Sequence, residues 1–546
     1  MRLLTLFCAA AALAITPAFA QSAPGGGGGD KDKGKSVEDL HKDDLAKAAA
    51  GAWNGAPVDE RTVQTRHSAV VDGRTLPYTA TAGTLTIRDA EGKPTASIFY
   101  TADTVDGVPG SRRPVTFFYN GGPGSASLWL RMGSFGPMRI QTTNAQYIRP
   151  APFNFGANPD TLLGTTDVVF IDAPGTGYSR PLGDAKPADF YGVDEDADAF
   201  AKAIIRYITK FDRWGSPKFL FGESYGTTRS GALAYQLQDR GVALNGVILL
   251  SSIMNYGRRQ PGLDRDYINY LPSYATTAWY HHKMAKPPAN VADAAAEARA
   301  FAEGPYASAL EKGQTISKQE EDSVAQQMSA LTGLSPQFIE NADLRVDLSE
   351  FRKELLRDQR ETIGRYDSRY TGIDPDAAGD APEFDASDVA ISGGFIGTMQ
   401  GYLANDLGYR TDMPYRLSAS DADGFKWDFK HKAPGIRYTL NDPNTAIDLA
   451  AAMRTNPYLK VLSLNGYYDM ATPFFGTEYD LDHMMLEPAQ QQNLEFRYYP
   501  SGHMVYLNPD ALHQMRLDVQ NFIQQAVGEA ASGYTPAAAP ARRRHR

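Results

Sequence analysis

Residues Gly222-Glu223-Ser224-Tyr225-Gly226 constrain this chain more than any other stretch. They follow the apolar run Phe219-Leu220-Phe221 and precede a helix-like segment, Thr228 to Leu237. Glycines on both sides of a serine permit a turn too tight for a Cβ, which forces the hydroxyl up and out at the end of a strand. In a chain with 50 glycines such a pentapeptide needs support from elsewhere. Asn120-Gly121-Gly122-Pro123-Gly124 provides it, ending the strand-like run Val115–Tyr119. A nucleophilic hydroxyl needs backbone N–H donors aimed at the oxygen that turns negative on the attacked carbonyl. Tyr225, directly after the serine, is one candidate donor, and Gly122 in the side-chain-free loop is the other.

The remaining partners should follow in the order nucleophile, acid, histidine. Val461–Gly466 reads as a buried strand with Asp469 just past its end. Leu494–Tyr499 alternates like another strand, and His503 follows in Pro500-Ser501-Gly502-His503-Met504. Both lie where open α/β sheets place their ligands, beyond the carboxyl ends of strands. In the roles the chemistry assigns, His503 takes the Ser224 proton and returns it to the leaving group, while Asp469 fixes the imidazole tautomer.

Other histidines lack this setting. His281 and His282 read as surface residues of an insertion, and His483 beside Asp480 and Asp482 has no second His or Cys at ligand spacing. His67 and His431 sit in polar surroundings, while His41, His513 and His545 fall in helical or tail segments.

The chain resembles the serine carboxypeptidase family within the α/β-hydrolases. The resemblance rests on Asn120–Gly124, Gly222–Gly226, Gly466 with Asp469, and Gly502-His503-Met504. Asp172-Ala173-Pro174-Gly175-Thr176-Gly177-Tyr178-Ser179 is similar to a further family segment. It covers roughly residues 85–255 and 455–525. The resemblance implies that Asn120, Glu223 and the Gly121 N–H bind the substrate's C-terminal carboxylate, and that Gly122 and Tyr225 form the oxyanion hole. A glutamate beside a bound carboxylate is a like-charge pair, so one of the two must hold a proton. Peptide binding through Glu223 should therefore favour acidic pH. One departure stands out: Ser125-Ala126-Ser127 replaces the family's usual cysteine, and Cys8 is the only cysteine in the chain. Core packing alone must then hold the fold, which this length can supply.

Arg2 followed by apolar Leu3–Ile15 and by Pro17-Ala18-Phe19-Ala20 reads as a cleavable signal peptide, 1–20, too short for a spanning helix. This suggests a bacterial periplasmic or secreted enzyme, with no membrane span elsewhere. Residues 21–35 form a flexible Gly/Lys/Asp linker, and Ser36–Ala50 looks helical. The first part of an α/β core spans 36–257, beginning with antiparallel strands between 52 and 110. Strands near 115–119, 167–172, 217–222 and 245–251 then alternate with helices near 191–211 and 226–240, so the fold class is a mostly parallel doubly wound sheet. Residues 258–440 hold helical stretches (Val291–Lys312, Lys318–Leu331, Leu348–Tyr366) without evident strands and read as a helical lid insertion. Its Tyr267, Tyr270, Tyr274 and Trp279 could line the pocket, although ordinary packing is the simpler use. The core resumes over 441–528, and an Ala/Pro-rich basic tail occupies 529–546.

A formal net charge of −10 leaves no global basic surface for nucleic acid. No pattern of a metal or organic cofactor is evident. Peptides with a free C-terminus are the expected substrates. Ester hydrolysis or acyl transfer by the same three groups remains open, because the lid alone would differ. A non-catalytic binding protein is disfavoured by the intact Ser224, Asp469 and His503 set.

Overall fold

The computed structural model describes residues 58–421 and 425–528. The signal peptide, the linker, the Ser36–Ala50 helix and the basic tail expected from sequence lie outside the described residues.

Five apolar runs, Val115–Tyr119, Asp167–Ile171, Lys218–Glu223, Gly246–Leu250 and Lys460–Gly466, form the middle of one sheet and are buried almost throughout. Continuous rather than alternating apolarity is what a parallel strand covered on both faces requires. The sheet order is Thr62–Val71, Arg74–Arg88, Pro94–Val105, Asp167–Ile171, Val115–Tyr119, Lys218–Glu223, Gly246–Leu250, Lys460–Gly466, Leu494–Tyr499. The first three strands and their junction with Asp167–Ile171 are antiparallel. Every later pairing is parallel. This is the α/β-hydrolase arrangement.

Side chains alternate across the sheet with period two. Phe118, Phe221, Ile248 and Leu462 enter a core shared with helices Leu128–Gly133, Ser392–Gly401 and Pro509–Val527. Phe117, Leu220, Leu249 and Val461 face the other way, toward helices Val193–Lys210, Tyr225–Asp239 and Ala446–Thr455.

The region 258–440 is less uniform than a helical lid. Its first part, from Arg265–Tyr280 through Leu348–Glu354, builds a core of its own that also takes in Tyr467, Met470 and Phe474 from the segment after Lys460–Gly466. Its later part, including Phe395, Met399 and Tyr402, packs into the core on one face of the main sheet. The expected helix Leu348–Tyr366 ends at Glu354; after a 3-10 turn at Arg357–Gln359, Arg360 adopts a left-handed conformation (φ 56°) and Glu361–Ile363 pairs with Thr371–Ile373 as a two-stranded ribbon. Tyr274 stacks on Phe351 at 4.0 Å within the insertion core, so it serves packing. Among the described residues, no helix is long and apolar enough to cross a membrane.

Candidate active site

Lys218–Glu223 runs directly into helix Tyr225–Asp239, and Ser224 alone makes the turn, at φ 61° and ψ −130°. A non-glycine residue held at positive φ is strained and persists only where its surroundings dictate it. They do so here: a Cβ on Gly222 would lie 2.3 Å from the Gly226 carbonyl oxygen and 2.5 Å from Ser230 Oγ. The Ser224 N–H donates to the Leu250 carbonyl at 3.0 Å, fixing the turn to the neighbouring strand end.

Asp469 and His503 come together although 34 residues separate them. His503 Nδ1 lies 2.8 Å from Asp469 Oδ2, and both side chains are buried. Asp469 Oδ1 accepts the N–H groups of Ala471 (2.8 Å) and Thr472 (2.9 Å), and the Thr472 hydroxyl donates to Oδ2 at 2.8 Å. Thr472 thus orients the acid that orients the imidazole. Burial pulls the His503 pKa down, but the Asp469 carboxylate more than offsets this and leaves it raised. With Nδ1 turned to Asp469, Nε2 occupies the opposite edge of the ring.

A short chain of bonds puts His503 and Ser224 on one rim. The Ser251 hydroxyl donates to the His503 carbonyl at 2.6 Å, and Ser251 follows Leu250, which holds the Ser224 N–H. The Ser224 hydroxyl and the imidazole do not form a hydrogen bond with one another in this state. Such bonds commonly tighten only when substrate binds.

Asn120 and Glu223 also meet, Asn120 Nδ2 donating to Glu223 Oε1 at 2.9 Å. The second carboxyl oxygen, Oε2, is buried without a hydrogen-bond partner among the described residues. The buried Tyr506 hydroxyl stands beside it, short of good hydrogen-bond geometry but near enough for its hydrogen-bonding pull to oppose the effect of burial on the carboxyl. Burial, against the opposing pull of His503, raises the Glu223 pKa to about 7. Gly121 lies against the serine turn so closely that a Cβ there would sit 2.4 Å from the Tyr225 nitrogen and 2.7 Å from the Glu223 carbonyl oxygen. Gly122, the next residue, continues the loop at φ 105°. The eight residues singled out in the sequence therefore gather in three clusters at neighbouring strand ends: Asp469 with His503, Asn120 with Glu223, and Gly121, Gly122 and Tyr225 beside Ser224.

Further contacts support these clusters, most of them not read from the sequence. Arg229, on the helix after the serine, forms a fully buried ion pair with Asp196 (Nε to Oδ2, 2.6 Å). Its Nη1 donates to the Asn120 carbonyl at 2.8 Å, tying that helix to the glycine loop. The segment around 416–419 straps the same loop: the Ala126 N–H donates to Leu417 O (2.9 Å) and the Ala419 N–H to Gly124 O (2.7 Å). Asp172 accepts the Ser127 N–H at 2.7 Å, linking the Asp172–Ser179 segment to it. Tyr366 packs its ring 5.4 Å from that of His503 and accepts the His503 N–H at 2.6 Å. Asp172 lies in a segment already singled out in the sequence, and Asp469-x-x-Thr472, not singled out there, has a spacing at which a side chain bonds nearby backbone.

Two histidines differ from their sequence reading. His281 is half-buried, with Nε2 2.7 Å from Ser368 O, rather than a surface residue. His431 is buried between Asp194 (2.6 Å) and Asp448 (2.7 Å), far from a merely polar setting. Burial lowers its pKa, but the two carboxylates prevail and raise it to about 9, so it pins the segment near 431 to two helices as a cation.

A strained serine between strand and helix, a glycine loop packed on it, and an acid–histidine pair at the ends of later strands define an α/β-hydrolase site. The serine carboxypeptidase family model matches residues 73–506, including the region between the two stretches that carry the sequence resemblance. The chain belongs to the serine carboxypeptidase family. It is 26% identical over 166 residues to serine carboxypeptidase-like 36 of Arabidopsis thaliana, covering 29% of this chain and 31% of that protein. It is 24% identical over 179 residues to serine carboxypeptidase S10 family member 1 of Dictyostelium discoideum, covering 32% and 38%. The chain thus spans about a third of the length of these curated relatives. Among solved structures, Kex1(delta)p, a prohormone-processing carboxypeptidase from Saccharomyces cerevisiae, aligns at 15% identity with a TM-score of 0.49, over 82% of this chain and 91% of that one.

Proposed function

We propose that this protein is a serine-type carboxypeptidase that removes the C-terminal residue of peptides through an acyl-enzyme. Ser224 Oγ attacks the scissile carbonyl carbon while His503 Nε2 accepts its proton. The carbonyl oxygen, as it gains charge, takes hydrogen bonds from the Gly122 and Tyr225 N–H groups. The C–N bond then breaks, and the imidazolium returns its proton to the departing amine. Water, deprotonated by the same nitrogen, releases the peptide acid and restores Ser224. Asp469 holds the imidazole and stabilises its charged form throughout.

The observation that carries the reading is Glu223, the residue before the nucleophile. Its carboxyl is buried, anchored by Asn120, and pushed to about 7 by burial. Below that pH it is a neutral donor, able to bond a substrate carboxylate that an ionised glutamate would repel. Asn120 and the Gly121 N–H complete that anchor, and the activity is expected to favour acidic pH. A blocked dipeptide with a free C-terminus, compared with its C-terminal amide, tests this. Strong preference for the free acid supports the proposal; equal rates, or turnover of esters alone, select the esterase or acyltransferase alternative.

We further propose that the enzyme acts in a bacterial periplasm or outside the cell, after cleavage near Ala20. N-terminal sequencing of the secreted product starting near Gln21 supports this, and retention of Met1 on a cytoplasmic product refutes it.

A further inference from the structure

Arg365 lies in the turn between the two strands of the ribbon, and its backbone is held from several sides. Its N–H donates to both Asp385 oxygens (3.1 and 3.2 Å), and its carbonyl accepts the Met470 N–H at 3.1 Å. The next carbonyl, that of Tyr366, accepts the His503 N–H. Arg365 is therefore fixed to both loops that carry the acid–histidine pair. Its guanidinium stands 5.5 Å from the Tyr366 ring centre, and that ring in turn neighbours the His503 imidazole.

The charges of Asp385 and Asp469 favour the guanidinium from a distance, but no anion sits against it. Among the described residues its nitrogens donate no hydrogen bond and approach no carboxylate within ion-pair distance. Other arginines nearby are matched: Arg369 with Asp367 at 2.5 Å, and Arg258 with Asp480. The acids facing Arg365 are engaged elsewhere. Asp469 is committed to His503 and Thr472. Asp385 takes the Ser387 hydroxyl at 2.5 Å and faces Arg352 at 3.8 Å. Arg365 as a residue is half-buried rather than sealed in the core, although its charged group is crowded by Tyr366 and Tyr270. A guanidinium presents a planar fork of donors suited to a carboxylate.

We infer that Arg365 is a specificity-determining residue that binds a carboxylate-bearing side chain on the substrate, next to the scissile bond. The inference rests on the carboxypeptidase reading, and it assigns Arg365 a carboxylate distinct from the C-terminal one placed on Asn120 and Glu223.

The test uses blocked dipeptides with free C-termini that differ only as Glu against Gln, at the last and at the penultimate position, near pH 6. There a substrate glutamate is ionised while Glu223 is still largely protonated. Wild-type enzyme should prefer Glu at one of the two positions by ~10- to 100-fold in kcat/KM, as a charge-assisted bond implies. Arg365→Gln should bring that ratio close to one, and Arg365→Lys should keep part of it. The rate of fluorophosphonate labelling at Ser224 verifies that the variants keep an intact site. A Glu/Gln ratio near one in the wild type at both positions, or one unmoved by Arg365→Gln, overturns the inference while neutral free-acid peptides are still cleaved. An enzyme that cleaves no free-acid peptide overturns both this inference and the carboxypeptidase reading.

Discussion

Asn120 donates through Nδ2 to Glu223 Oε1 at 2.9 Å while its own Oδ1 accepts the Leu130 N–H at 3.0 Å. The amide is thereby held in one orientation, and among the described residues the second Glu223 oxygen has only the Tyr506 hydroxyl beside it, short of good hydrogen-bond geometry. A carboxyl with one oxygen occupied and burial raising its pKa to about 7 is neutral over the acidic range and charged above it. In the carboxypeptidase proposed above, protonation of Glu223 would be the hinge on which substrate recognition turns.

For free-acid peptides, kcat/KM should fall as pH rises past about 7, when Glu223 ionises and repels the substrate carboxylate. Because Glu223 and His503 feel each other's charge, the apparent pKa values belong to the pair. Glu223→Gln should remove this alkaline limb. Near pH 5, where wild-type Glu223 is protonated, it should lower peptide turnover by about tenfold, because an amide N–H donates to a carboxylate more weakly than a carboxylic O–H, while affecting simple esters much less. An identical limb in wild type and variant would show that another group titrates.

Stability offers an independent reading of the same carboxyl. Its folded pKa is raised above the unfolded value, so its favourable contribution is complete below about 4.5 and is lost as pH rises through about 7. Glu223→Gln should therefore leave urea-unfolding stability unchanged near pH 4. At pH 8 it should raise stability by up to about 3 kcal/mol. No gain at pH 8 would mean that the carboxyl is not held neutral by the fold.

Asp469→Asn keeps the shape of the acid but offers Nδ1 the wrong hydrogen-bond partner. A fall in kcat on the order of 10⁴ is expected, from loss of the correct imidazole tautomer. Thermal unfolding should confirm an intact fold. A fall under tenfold would remove Asp469 from its assigned role.

Arg229→Ala should be costly, because it leaves Asp196 buried without its partner. A loss of about 3–5 kcal/mol in unfolding free energy follows for a broken buried pair. Activity should fall as well, since Arg229 also holds the Asn120 carbonyl. Loss of less than about 1 kcal/mol would show that water or a rearranged neighbour replaces the guanidinium.

The site was legible where backbone crowding restricts the choice of residue. Gly222 and Gly121 are spelled out in the sequence because any Cβ there would collide with the serine turn. The parallel strands were legible for a similar reason, since burial on both faces leaves only unbroken apolar runs such as Gly246–Leu250. The insertion was harder to read. Nothing in Arg357-Asp358-Gln359-Arg360-Glu361 signals a break, yet Arg360 is left-handed and the next residues pair with Thr371–Ile373, a partner eight or more positions further on. The buried charge pairs were opaque for another reason. Arg229 and Asp196 look like ordinary helix-surface residues until the helices Val193–Lys210 and Tyr225–Asp239 pack together, and His431 meets Asp194 only across 237 positions.

The central claim is that the Ser224 hydroxyl, served by His503 and Asp469, is the nucleophile for peptides with a free C-terminus. Its most direct test is kcat/KM for one blocked free-acid dipeptide in wild type and Ser224→Ala at pH 5.5. A fall of about 10⁴- to 10⁶-fold is expected, as typifies loss of a nucleophile from such a set. A fall under tenfold would contradict that claim.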